Sequence, residues 1–324
     1  MMNEPERIPE RMVVADPLAP FERQGMLKLV APAKVNLFLG IGGLREDGYH
    51  EADTVMHALT LHDVLHMDYY PESTGGLKVE LSCHAREGLA SLEIEPEDNT
   101  AVKAVRAFAH KLQRDCDETF HIRIEKHIPF EAGLGGGSSN AAAALVGAAN
   151  FWGVEAFAPE MLAVAAEIGS DVSFFLYGGC AQMAGTGEAF KRRLEPMKKP
   201  VVLVKPKGGV STATAYRLFD EAPPPVPGDL AKQATMALRA RDVPLFNNLA
   251  PIAEVLLPEL TAIRLWLEGQ TGTEGVLLCG SGSATMALCE SFEAACRISG
   301  AAKSQGWWAR TTTLGSHGIL SSTP

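Results

Sequence analysis

Between residues 129 and 140 the chain reads Pro129-Phe130-Glu131-Ala132-Gly133-Leu134-Gly135-Gly136-Gly137-Ser138-Ser139-Asn140. Four glycines in five positions let the backbone take positive φ and approach a ligand closely. The segment follows an alternating stretch at 120–128 and opens an alanine-rich stretch at 141–150, so strand, loop and helix succeed one another. Amide N–H groups at such a helix start, with the positive end of the helix dipole, converge on an anion. The polyphosphate of a nucleotide is the natural occupant. The hydroxyls of Ser138 and Ser139 add ligands for phosphate oxygens or a metal ion. No Lys-Ser or Lys-Thr pair closes the loop, so it is not a Walker A loop, and its spacing is not that of a dinucleotide fingerprint. Glycine content alone fits a structural turn with a helix packed behind it equally well; the strand–loop–helix context and the paired serines favour phosphate.

Two charged residues stand in apolar surroundings. Lys34 interrupts Val35, Leu37 and Leu39 in a stretch that alternates like a strand, and Asp171 precedes Val172-Ser173-Phe174-Phe175-Leu176. Burying either charge alone is costly, whereas burying the two together beside a phosphate site accounts for both. A snorkelling lysine and an Asp turn or cap after Gly169 are the plainer alternatives. Asn36 lies two residues beyond Lys34 and shares its strand face, where it can hydrogen-bond a substrate or orient the lysine. Tyr49 and His50 follow Gly48 in a turn-rich stretch; an aromatic face beside a ring that donates and accepts suits a nucleobase, although the pair also reads as an ordinary turn. His62 and His66 read as surface residues of a strand. The basic residues at 191–193 and 198–199 read as a solvated junction rather than a nucleic-acid site.

The elements around these residues are those of a globular α+β chain. It has 324 residues, 46% hydrophobic and 21% charged, enough for about two domains. Its 29 basic and 39 acidic side chains give a net charge of −10. That argues against a general binder of nucleic acid or anionic membrane, but leaves room for one polyphosphate held by local donors. Six cysteines form no CxxC pair, no Cys/His spacing suggests zinc, and the expectation is reduced thiols in the cytoplasm. No apolar run reaches the roughly 18 residues of a membrane span. Residues 1–25, charged and proline-rich, read as a flexible extension without a secretory signal. Strands are expected at 34–39, 52–70, 77–81, 120–128 and 201–204, and helices at 99–112, 141–150 and 159–168. Residues 171–176 read as a short buried strand or turn, and the tail after 315 carries no pattern. A second glycine-serine loop, Gly280-Ser281-Gly282-Ser283, lies between 277–279 and 285–289.

The run from Pro129 to Ala141 resembles the phosphate loop of the GHMP kinases. The stretches Ala31-Pro32-Ala33-Lys34-Val35-Asn36-Leu37 and Arg45-Glu46-Asp47-Gly48-Tyr49-His50 narrow the resemblance to one branch of that superfamily. Gly169-Ser170-Asp171-Val172-Ser173-Phe174-Phe175, Gly185-Thr186-Gly187-Glu188 and the second glycine loop agree, and the resemblance covers about residues 28–290 in order. It implies a two-domain GHMP kinase fold, with an N-terminal ribosomal-S5-like domain at 26–198, a C-terminal ferredoxin-like domain at 199–318, and the active site in the cleft. It also implies transfer of the γ-phosphoryl of ATP, with Mg²⁺, to the 2-hydroxyl of 4-diphosphocytidyl-2-C-methyl-D-erythritol, a step of the non-mevalonate route to isoprenoids. Asp171 would be the base or orienting group and Lys34 its cationic partner. Pro129, Phe130, Glu131, Ala132, Gly133, Leu134, Gly135, Gly136, Gly137, Ser138 and Ser139 would hold ATP. Asn36, Tyr49, His50 and Tyr216 would hold the cytidine diphosphate conjugate, with Tyr49 and Tyr216 as opposite stacking faces. No dedicated metal ligand is expected, and the oligomeric state stays open.

Three departures stand out. Glu131 occupies a position where that family usually has a small residue, and it is expected to point to solvent, away from phosphate. Ser173 stands where proline is common, and residues 1–25 have no family counterpart. The rival readings are the same chemistry on a mevalonate- or homoserine-type alcohol, and a non-catalytic nucleotide-binding protein. The Asp-Gly-Tyr-His run argues against the first, and Lys34 with Asp171 against the second.

Overall fold

The computed structural model describes residues 25–71, 75–86, 89, 95–114 and 116–323. The extension expected at 1–25 lies outside them, apart from its last residue. In chain order the first part comprises β1 (Gly25–Leu44), β2 (His50–Tyr70), β3 (Lys78–Ala85), α1 (Thr100–Lys111), β4 (Thr119–Lys126), α2 (Gly136–Trp152), α3 (Pro159–Ile168), α4 (Val172–Tyr177), β5 (Cys180–Ala184) and β6 (Ala189–Leu194). There follow β7 (Pro200–Lys205), α5 (Thr212–Glu221), α6 (Gly228–Met236), β8 (Phe246–Asn247), α7 (Ala250–Leu256), α8 (Glu259–Glu268), β9 (Thr273–Leu278), β10 (Thr285–Cys289), α9 (Phe292–Ser304), β11 (Trp308–Thr313) and β12 (Leu320–Ser322).

Among the described residues the strands form two sheets. One runs β12-β1-β2-β4-β3, with β5 on β2, β6 on β5 and β8 on β1; the other is the antiparallel sheet β11-β7-β10-β9. Helices α1 to α4 share one apolar core with the first sheet, and α8 and α9 cover the second.

The long strand β1 connects these layers. Leu27, Leu29 and Ala31 pack beneath α1 and α2. The register with β2 then shifts between Pro32 and Lys34. Beyond the shift Ala33, Val35 and Leu37 join a different core, with Leu203, Leu277 and Met286 of the second sheet. A bulge of this kind exchanges the faces of a strand. It therefore turns Lys34 and Asn36 away from the second core and toward the glycine loop: a Cβ on Gly135 would stand 3.0 Å from Cγ of Lys34. The alternating pattern suggested a strand with one inward face. Instead every residue from 31 to 41 is buried, on both faces, Phe38 included, because β1 lies between two packed layers.

Three other expectations change. Residues 172–177 form a helix, α4, not a strand or turn; all six side chains are buried, and a fully buried run carries no periodicity to tell the two apart. The tail after 315 ends in a strand, β12, antiparallel to Lys28–Val30 of β1; three residues are too few to show alternation. The alanine helix begins five residues before 141, because Gly136, Gly137, Ser138 and Ser139 make its first turn after a left-handed Gly135.

Two features fix the glycine loop. At its base Asp63, wholly buried, pairs with the ammonium of Lys126, and its Oδ1 accepts from the amides of His127 (2.7 Å) and Ile128 (2.9 Å). Asn140 closes the set, accepting from Lys126 Nζ and donating to Asp63 Oδ2, both at 3.0 Å. Further along, the loop is bonded as a strand would be: Lys34 N donates to Leu134 O (2.9 Å), Ser283 N to Glu131 O (3.0 Å) and Ala284 N to Ala132 O (3.1 Å). Gly133, at φ 71°, touches the second glycine loop backbone to backbone.

Gly133→Ala is expected to cost roughly 3 kcal/mol or more of stability, since overpacking here meets main chain that has nowhere to move. The added Cβ would stand 1.8 Å from the Cys279 carbonyl oxygen. Gly43 has open space around it, so Gly43→Ala should change stability by no more than about 0.5 kcal/mol. Urea unfolding midpoints of the two variants check this.

A second prediction concerns acid. His57 is buried in β2, with Nδ1 on Ala58 O (2.9 Å) and Nε2 accepting from the amide of Met197 (3.1 Å), so its ring is neutral. Burial pushes its pKa down to about 4, against a smaller opposing effect of the Ala58 carbonyl. The unfolded chain therefore takes up this proton near pH 6.5 and the folded one only near 4, and folding loses on the order of 3 kcal/mol as pH falls across that window. An NMR titration of the ring should give the low value, and His57→Gln should flatten the loss of stability between those pH values.

Candidate active site

The site lies in a cleft of about 890 Å³ bounded by β1, the 45–50 turn, the first glycine loop, the start of α4, α5 and the second glycine loop. That volume suits a small-molecule pair rather than a polymer. Lys34, Asn36, Tyr49, His50, Asp171 and Tyr216 all line it.

Lys34 and Asp171 meet at its centre, with Nζ 3.2 Å from Oδ2. The lysine is 3% exposed, and the aspartate side chain keeps 28% of its surface open. Asp171 begins α4 but makes no capping hydrogen bond, so its carboxylate is free for the cleft. Lys34 also donates to Asn36 Oδ1 (2.7 Å), whose amide donates to Thr54 Oγ1 (2.9 Å), which in turn donates to Phe38 O (2.7 Å). This chain fixes the amide of Asn36 with its oxygen toward the lysine. Two of the three ammonium hydrogens are then committed and the third is left for an incoming anion. The hydrogen bond from Lys34 is the one by which Asn36 orients the lysine. Thr54 was not legible as part of the site, because a threonine in a strand is ordinary.

The glycine loop contributes mostly main chain. The first bond of α2 runs from Ser139 N to Gly135 O (2.8 Å), so the amides of Gly136, Gly137 and Ser138 precede the helical ladder. Of the loop residues expected to hold ATP, Glu131, Gly133, Gly135 and Ser138 line the cleft. Ala132 and Leu134 turn their side chains into the core between the sheets and do not line the cleft. Phe130 lies 5.2 Å from Lys126 Nζ, outside the cleft lining, as does Pro129. Ser139 is fully buried, and its hydroxyl has no partner among the described residues. Glu131 is exposed at φ 49°, with its carboxylate against Gly209, and it lines the cleft.

Two further groups steady the walls. Glu188 accepts from the amide (2.6 Å) and hydroxyl (2.8 Å) of Thr186, so Ser170 must donate to Thr186 across their 2.9 Å contact, next to Asp171. Burial raises the pKa of Glu188, but these bonds outweigh it and the carboxyl stays below its ordinary range. Asn247 donates to the carbonyls of Leu278 (3.0 Å) and Gly280 (2.7 Å), and Ser281 and Thr212 share a hydroxyl contact of 2.9 Å, which together hold the second glycine loop.

At the other end Tyr49 is 62% exposed at the rim, while His50 is buried behind it. The ring of Tyr216 lies 5.1 Å from that of His50. Burial, and then the charge of Asp171, push the Tyr216 hydroxyl up to about 12, so it is a neutral phenol at working pH. Asp220, one turn beyond Tyr216 on α5, faces His50. Its spacing from Tyr216 was the one signal in the sequence, and an acid on a helix surface has too many other uses to single it out. His62 and His66 lie half-buried on β2, away from the cleft lining. In the basic stretch Lys199 pairs with Glu274 (2.6 Å) and Arg192 bonds Gln182 and the Thr235 carbonyl.

The chain is similar to known proteins in sequence and in fold. Residues 99–179 match the GHMP kinases N terminal domain. A 4-diphosphocytidyl-2-C-methyl-D-erythritol kinase of Desulfitobacterium hafniense is 37% identical over 85% of this chain and 91% of its own length. One of Nocardia farcinica is 40% identical over 83% and 86%. The crystal structure of a 4-(cytidine 5'-diphospho)-2C-methyl-D-erythritol kinase superposes with a TM-score of 0.70 at 33% identity, covering 89% of this chain and 99% of that one. A homoserine kinase from Cytophaga hutchinsonii, 18% identical with a TM-score of 0.67, shares the fold. With the two-domain α+β architecture, the interdomain cleft and relatives of this identity and coverage, the chain belongs to the 4-diphosphocytidyl-2-C-methyl-D-erythritol kinase family of the GHMP kinases.

Proposed function

We propose that the cleft transfers the γ-phosphoryl of ATP to the 2-hydroxyl of 4-diphosphocytidyl-2-C-methyl-D-erythritol, with ADP as the leaving product. The observation that carries the roles is the pairing of buried Lys34 with half-buried Asp171, 3.2 Å apart in the same cleft as the glycine loop. Phosphoryl transfer needs positioning and positive charge more than covalent chemistry, plus a base for the hydroxyl proton. Asp171 takes that proton as the substrate oxygen bonds to phosphorus and the bridging oxygen leaves with ADP. Lys34 holds Asp171 in place and offers its remaining N–H to the transferring group. The amides at the start of α2 hold the polyphosphate. Tyr49 and Tyr216 flank the cytosine, and His50 reads its edge.

The family uses Mg²⁺ with ATP. Among the described residues no group of three His, Cys, Asp or Glu side chains could hold an ion alone. The Ser139 hydroxyl has no partner among the described residues and Ser138 and Asp171 line the cleft, so these groups would hold the ion. Bound there, the ion would neutralise phosphate charge.

Residues 26–198 and 199–318 are the proposed domains. The proposed compartment is the cytoplasm, which agrees with six free cysteines. No helix among the described residues is long and apolar enough to cross a membrane.

The test is an ATP-consumption assay with the cytidyl substrate, the product position being fixed by phosphorus NMR. Asp171→Asn keeps a polar partner for Lys34 but removes the base, so kcat is expected to fall about 10²- to 10⁴-fold. Binding of ATP, followed by calorimetry, should survive. Full turnover in that variant would remove the base assignment. Phosphorylation of mevalonate or homoserine, with no competition from CDP, would move the reading to another alcohol.

A further inference from the structure

Helix α5 closes on one ring. Tyr216, Phe219 and Asp220 stand at i, i+3 and i+4, the spacing of a single helix face. All three meet His50. The Tyr216 ring lies 5.1 Å away, tilted by 40°, and the Phe219 ring lies 5.7 Å away, edge-on at 89°. Asp220 Oδ1 sits 2.6 Å from His50 Nε2. The two aromatic rings fix the plane of the imidazole and the carboxylate fixes one of its nitrogens. His50 Nδ1 has no partner among the described residues, and the ring lines the cleft.

An ionised carboxylate only accepts, so Nε2 must carry the hydrogen in this contact. In the neutral ring Nδ1 is then a bare acceptor. An acceptor suits the 4-amino group of cytosine and opposes the 4-oxo group of uracil, since the two bases differ there in donor and acceptor. We infer that Asp220 is a positioning residue that holds His50 in its Nε2–H tautomer and so makes the base pocket select a 4-amino over a 4-oxo pyrimidine. This rests on the reading of Tyr49, His50 and Tyr216 as the nucleobase pocket. It adds to that reading the group that sets its selectivity, a residue which itself needs no contact with the base.

The experiment has a spectroscopic and a kinetic arm, both on the full chain at pH 8. Nitrogen–proton correlation spectra of the imidazoles should show the His50 proton on Nε2 in the wild type, and a mixture of tautomers in Asp220→Ala. The ratio of kcat/KM for the cytidyl substrate to that for its uridyl analogue should fall about tenfold or more in Asp220→Ala, the loss falling on KM for the cytidyl substrate and not on KM for ATP. In Asp220→Asn the amide oxygen can still accept from Nε2–H, so much of the preference should return. The Asp220 side chain is 45% exposed, so these changes open no cavity in the core. A wild-type His50 with its proton on Nδ1, or an Asp220→Ala enzyme that keeps its full cytidyl preference, overturns the inference and leaves the kinase reading intact. A wild type that turns over neither substrate overturns both.

Discussion

A loop that must present bare amide hydrogens to a ligand cannot use them to hold itself in place. Everything else about residues 129–139 follows from that constraint. The amides of Gly136, Gly137 and Ser138 precede the first helical bond of α2, so the loop is fixed by its carbonyls, its flanks and its contacts. Carbonyls of Glu131, Ala132 and Leu134 accept from the second glycine loop and from Lys34. The flank is fixed by Asp63, which takes two amides at the loop entrance while paired with Lys126 and Asn140. Removing one member of such a buried set strands a charge, at a cost of about 3–5 kcal/mol. Gly133 then sets how closely the two loops approach, since no side chain fits between it and Cys279. The glycine loop and the contact between the two sheets are thus one structure.

The same strand that braces this loop delivers the charge. The main-chain N–H of Lys34 bonds the loop, and its side chain reaches Asp171. A one-residue slip in β1 would send that ammonium into the apolar core between the sheets, where nothing could pair with it. The bulge at residues 32–34 fixes the register, and the bonded series Asn36, Thr54 and Phe38 fixes the direction of the side chain. In a chain with a net charge of −10 the local sign at the phosphate site has to come from groups placed in this way.

How far the sequence reveals this depends on range. The glycine loop, the helix expected at 99–112 and the pairing of two misplaced charges were legible, because each is a local pattern or a local violation of one. The strand at 34–39 was legible as a strand but not as a doubly buried one, since the second layer that covers it comes from residues 201–204 and 277–286. Helix α4 could not be told from a strand, and β12 has meaning only beside Lys28–Val30. In the site, Lys34, Asp171, Asn36, His50 and Tyr216 were named from their surroundings or from the family resemblance. The residues that hold them were not: Thr54, Asp220 and Asn247 are polar side chains in unremarkable contexts. Their roles exist only through partners 16 to 170 positions away.

The cleft divides its work along its length. The proposed phosphate end is built on β1, α2 and α4, whose side chains lie almost entirely in packed cores. The proposed base end is built on the 45–50 turn and on α5, where Tyr49 and Asp220 keep much of their surface open. Geometry at the first end has to be held closely, because small displacements there cost rate directly. The second end has only to choose a ligand and hold it, which a turn and one helix face can do. The two ends still communicate at one point. Tyr216 stands beside His50, yet the charge of Asp171 helps keep its hydroxyl protonated. In the proposed reading the nucleobase pocket and the base therefore share one neighbour, the Tyr216 phenol.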